Sequence, residues 1–195
     1  KACSHEVSRN YLAMGSGFYE SVADEDESKL TQVPKKIIVA LRNASLLTNT
    51  AEMDLYVNPQ ACQAISNPIA AKHLTTELGF TIRPAVQPLS IFGETKARTL
   101  HAKFLFSANY RDNSNICNSA WVYLGSGNLT TPGFTRKMGA GTGNLEAGVV
   151  FAPETMYREH KKNRVEANQL VSNRLPIQTD KKINCDWTQL KRGEE

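Results

Sequence analysis

LHAKFLFS, at residues 100–107, is an apolar run of strand length, interrupted by His101 and Lys103. Two residues apart on a strand, those side chains point to one face. Two more strand-like segments follow, AWVYLGS at 120–126 and LEAGVVF at 145–151. Each also carries polar groups that an apolar strand does not need. The second runs into GSGN, with Ser126 and Asn128, and the third opens on Glu146. If the three strands are neighbours, these groups converge at one end of a sheet.

Upstream, EMDLYVNP at 52–59 reads as a strand stopped by Asn-Pro. PIAAKHLTTEL at 68–78 has helical spacing between a proline and Gly79, and FTIRPAV at 80–86 reads as the next strand. KKIIVALR at 35–42 fits a strand or part of a helix, because periodicity does not decide so short a run. The spacing predicts a helix with a basic face over 154–175, while INCDW at 183–187 is ambiguous. Residues 1–32 are polar and end in a loop. This order of elements predicts an α/β layered domain over residues 50–195, preceded by an N-terminal segment, 1–49, of undefined structure.

With 195 residues, 41% hydrophobic and 22% charged, the chain has the size and composition of a soluble globular domain. No apolar run approaches a membrane span. The chain starts at Lys1 with no basic-then-apolar leader, so a fragment or trimmed product with a second lobe elsewhere is the expectation. The net charge of +4 is compatible with a polyanionic partner without implying one. Acidic residues cluster in ADEDES at 23–28, which leaves the remaining surface more basic. Cys3, Cys62, Cys117 and Cys185 have no metal-ligand spacing. Free thiols in a reducing, cytoplasmic compartment are expected; the even count leaves disulfides open in three connectivities.

The convergent residues suit one chemistry. A neutral imidazole attacks phosphorus. A lysine ammonium and an asparagine amide donate to phosphoryl oxygens and stabilise charge building up in the transition state. A glutamate holding the second imidazole nitrogen fixes the tautomer and stabilises the imidazolium. No metal or other cofactor is needed, because Lys103 supplies the cation.

HAK, then GSGN, then NLEAGV resembles the signature of the phospholipase D superfamily, over roughly residues 50–151, with YLGSGNLTTPGF as the most characteristic stretch. The resemblance implies a phospholipase D-like layered fold, a mixed β-sheet flanked by helices, and a phosphohistidine mechanism. His101 is then the nucleophile, Lys103 and Asn128 hold the phosphate with Ser126 assisting, and Glu146 orients His101. The fuller motif places an aspartate five residues after the lysine, where this chain has Ala108. That departure points away from the lipid hydrolases. It points towards the branch of tyrosyl-DNA phosphodiesterases, metal-independent nucleases and nuclease domains of restriction enzymes and helicases.

Enzymes of this superfamily use two such motifs, one histidine as nucleophile and one as acid. The chain's other literal match, HKK at 160–162, sits in a polar run with no GSxN after it. The expectation is therefore a homodimer, or pairing with a second phospholipase D-like half, with the site at the interface. The expected function is metal-independent hydrolysis of nucleic-acid phosphodiesters, with DNA as partner and no membrane. The alternatives are an inactive nucleic-acid-binding accessory module and a phospholipid hydrolase. Arg98, Arg111, Arg136 and Lys137 flank the motif strands and are the expected backbone-phosphate contacts. Trp121 reads as core, with base stacking as its alternative. MGAGTGNLE at 138–146 lacks the ending of a P-loop and reads as a flexible loop leading to Glu146.

Overall fold

The structure is a computed structural model and describes residues 7–20, 31–86, 101–137, 139, 141–159 and 165–193. Its centre is a mixed sheet in the order β3-β2-β1-β4-β5-β6. The strands are β1 (Arg9–Gly15), β2 (Leu47–Val57), β3 (Phe80–Pro84), β4 (Lys103–Arg111), β5 (Ser114–Gly125) and β6 (Gly148–Phe151). A two-residue strand, β7 (Met156–Tyr157), pairs with the start of β5. Strands β1, β2 and β3 run parallel, joined by helical crossovers; β4, β5 and β6 continue the sheet antiparallel. The mixed α/β architecture expected from the sequence is what the chain adopts.

Segment 1–49, undefined by its sequence, supplies the central strand. β1 lies between β2 and β4 and is buried at almost every position. The ambiguous run at 35–42 belongs to helix α1 (Gln32–Asn43), which buries Val33, Ile37 and Ile38 at helical spacing against the sheet. Helix α2 (Pro68–Lys72) starts where expected. Asn67 accepts from the backbone N–H groups of Ile69 and Ala70, and proline takes the first turn, where its missing N–H costs nothing. It runs on into a wider π-helical turn, His73–Glu77.

The helix expected over 154–175 does not form. Among the described residues that region holds β7, one 3₁₀ turn (Ala167–Gln169) and a single helical turn, α3 (Val171–Arg174). Its apolar residues are spaced to reach across a sheet face rather than along one helix stripe. Met156, Val171, Leu175 and Ile177 pack with Tyr11, Tyr56, Phe104 and Phe106 as the second core layer. The larger layer, on the opposite face, joins Leu12, Met14, Leu55 and Leu105 to α1 and to Leu74.

Cys62 and Cys117 are buried free thiols, and Cys185 is free and partly exposed. Burial pushes the Cys62 and Cys117 thiols up to about 12. They keep their protons in the fold at pH values where the unfolded thiols, near ~8.5, have ionised. Rising pH therefore favours the unfolded chain by about 1.4 kcal/mol per pH unit for each thiol, between ~8.5 and ~12. Urea unfolding at about pH 7 and about pH 10 should show that loss. The Cys62→Ala/Cys117→Ala variant should show a shallower slope.

Candidate functional site

The strand register assembles the site. Gly15, the last residue of β1, pairs with Phe104, and Lys103, the first of β4, pairs with Gly125. Gly125 in turn pairs with Gly148, the first residue of β6. Four connections therefore meet at one end of the sheet: the segment after β1, the entry to β4, the GSGN turn after β5 and the entry to β6. His101, Lys103, Ser126, Asn128 and Glu146 all lie on these connections. It is the end where the parallel half of the sheet gives way to the antiparallel half, a place where open α/β sheets form ligand crevices.

Lys103 is on the strand as expected, half-buried. His101 lies just ahead of it and is exposed. Its ring meets Phe18 edge-on, with centroids 6.1 Å apart. Ser126 and Glu146 are in direct contact, the serine hydroxyl donating to Glu146 Oε2 at 2.5 Å. Asn144 Nδ2 donates to Glu146 Oε1 at 3.2 Å. Ser126 is further locked to the β6 entry, its backbone N–H donating to the Ala147 carbonyl at 2.9 Å and its hydroxyl accepting from the Ala147 N–H at 3.0 Å. Among the described residues, no hydrogen bond joins Glu146 to His101. The Glu146 carboxylate is thus held by Ser126 and Asn144.

Asn128 is placed by residues the sequence reading missed. Ser16, fully buried after β1, has its hydroxyl 3.5 Å from Asn128 Oδ1 and accepts from the Leu129 N–H at 3.1 Å. Tyr19 forms a parallel bridge with Leu129. Glu20, also buried, accepts from both the backbone N–H and the hydroxyl of Thr131. The turn itself needs close backbone approach. A Cβ on Gly127 would sit 2.5 Å from the Gly133 carbonyl oxygen and 3.3 Å from Glu146 Cγ. Glycine is the residue that lets GSGN fold back against its own loop.

The basic residues divide. Arg136 and Lys137 are exposed on the loop between Asn128 and Glu146, at the site end. Arg111 is not at the site: it closes the far end of β4, on the order of 27 Å along the strand from Lys103. Arg98 and the HKK run at 160–162 lie outside the described residues. Trp121 is buried in the larger core layer, which rules out base stacking by its ring. Ala108, where the fuller motif has aspartate, is buried opposite Tyr11.

Among the described residues, no group of three or more His, Cys, Asp and Glu side chains could hold a metal ion. No described helix is long and apolar enough to cross a membrane. The chain matches no family model and no curated protein.

Proposed function

We propose that the chain is a metal-independent phosphodiesterase of the phospholipase D type acting on nucleic acid. The observation that carries this reading is the register Lys103–Gly125–Gly148, which brings His101, Lys103, Asn128 and Glu146 to one end of the sheet. An imidazole nitrogen of His101 attacks phosphorus, forming a P–N bond as the P–O bond to the leaving strand breaks. Lys103 and Asn128 donate to the phosphoryl oxygens. Water then attacks the phosphohistidine, the P–N bond breaks and His101 is restored. The sheet end opens to solvent at His101 and is bordered by Arg136 and Lys137, which suits a polyanionic strand. Quenching with alkali and denaturant during turnover in EDTA is expected to trap up to one strand-linked phosphoryl group per site, stable to alkali and released by acid. Hydrolysis that requires a divalent cation overturns the mechanism. The binding of Glu146 to Ser126 and Asn144 favours a second reading, a module that holds nucleic acid without cutting it. Tight binding with no trapped adduct decides for it.

The leaving strand needs a proton, and the second histidine comes from a second copy of the chain. Support lies next to Glu146. Strand β6 is exposed along its length, with Val149, Val150 and Phe151 open to solvent, and Leu145 is 84% exposed. That apolar surface beside Glu146 is where a second copy can pack about a two-fold axis, its site facing this one. Light scattering is expected to give twice the chain mass. Val150→Lys should yield a monomer with activity lost. A fully active monomer sinks this assembly.

A further inference from the structure

We propose that the Tyr123 hydroxyl is a further substrate-binding group of this site, donating to a phosphoryl oxygen beside Lys103; this rests on the phosphodiesterase reading. Tyr123 is on β5 and faces the same side of the sheet as Lys103. Its cross-strand partner is Leu105, two residues from Lys103, and the next residue on its own face is Gly125, the partner of Lys103. The ring lies along that row towards the site. A Cβ on Gly125 would fall 2.1 Å from the phenol oxygen, and a Cβ on Gly148 would fall 2.5 Å from Tyr123 Cε2. The paired glycines thus leave room for this ring to lie over them, and the hydroxyl reaches the strand position of Lys103. Phe134, from the loop after Asn128, holds the ring edge-on at a centroid distance of 5.9 Å.

This placement leaves the hydroxyl unspent. Among the described residues it makes no hydrogen bond, whereas buried Tyr11, Tyr19 and Tyr56 donate to Asp54, to the Tyr56 carbonyl and to the Gln178 carbonyl. Burial and then the Glu146 carboxylate hold the Tyr123 phenol above its usual range, so it stays a proton donor at neutral pH. A neutral O–H next to an ammonium is suited to a phosphoryl oxygen, which accepts from both. The two glycines have a purpose beyond backbone approach: they let an aromatic donor lie flat across the sheet end.

The test uses inorganic phosphate as probe and the full chain. Titration calorimetry compares wild type, Tyr123→Phe and Lys103→Ala, and steady-state kinetics on an oligonucleotide separates KM from kcat. Phenylalanine keeps the ring packing against Phe134 and the glycines, so melting temperature should not change. Phosphate affinity is expected to fall about 10-fold or more in Tyr123→Phe, as for a lost hydrogen bond to a charged acceptor. KM should rise with it. If wild type and Tyr123→Phe bind phosphate alike while Lys103→Ala does not, the site stands and the role of Tyr123 is overturned. If wild type binds no phosphate, or Lys103→Ala binds it equally, the site reading falls and Tyr123 with it.

Discussion

His101→Ala is expected to abolish hydrolysis of an oligonucleotide in EDTA, a loss on the order of 10³-fold or more, while leaving the fold intact. The size follows from the role. A covalent mechanism has no slower version that skips the nucleophile, so what survives is transition-state stabilisation by Lys103 and Asn128 acting on a water molecule. The fold is spared because His101 is exposed, precedes β4 and contributes only an edge contact with Phe18. Circular dichroism and thermal melting of the variant should overlay wild type. The phosphate-binding groups remain, so oligonucleotide affinity should hold within a few fold. Retained activity would exclude His101 as nucleophile. Loss of activity together with loss of binding would mean that it anchors the substrate instead.

The order of His101, Lys103, Asn128 and Glu146 was legible because each sits at the end of a strand whose apolar alternation is local. The groups that hold them were not. Ser16 and Glu20 reach Asn128 and Thr131 across more than a hundred residues of chain, through a strand, RNYLAMG, with no β-branched residue and burial on both faces. Such a strand shows no period-2 pattern. Tyr123 was readable as a strand residue only. Its direction along the row depends on Gly125 and Gly148 becoming partners, a fact of register and not of spacing. The failed helix at 154–175 has the same cause. Its composition suits a helix, but Met156, Val171 and Leu175 each find a place in the core layer on the second face of the sheet, and that burial outweighs propensity. The partners of Glu146 were not legible either. Position along the chain located the carboxylate, but which neighbour it would bond depended on how the GSGN turn and Asn144 close around it.

Arg83→Met is expected to cost about 3–5 kcal/mol of stability at neutral pH, the cost of leaving a buried carboxylate without its partner. Arg83 and Asp54 are each only 4% exposed, with Nε 2.7 Å from Oδ1. Tyr11 donates to the other carboxylate oxygen at 2.7 Å. Arg83 also reaches the C-terminal segment, donating to Asn184 Oδ1 at 2.9 Å. The pair therefore fastens the tail, and with it Cys185 against β3, to the centre of the sheet. Burial pushes the Asp54 carboxyl above the usual carboxylate range, while Arg83 and Tyr11 pull it back. Removing Arg83 lets burial act unopposed by that charge, so the folded pKa rises further above the unfolded value of ~3.9. A folded state that binds the proton more tightly gains stability as pH falls from neutral through its own pKa. The deficit of Arg83→Met should therefore narrow on acidification towards about pH 4–5 in urea unfolding. The double variant Arg83→Met/Asp54→Leu, with no charge left to strand, should recover most of the loss at neutral pH and lose the pH dependence. A deficit that stays constant with pH in the single variant would mean that the tail contacts, not the ion pair, carry the stability.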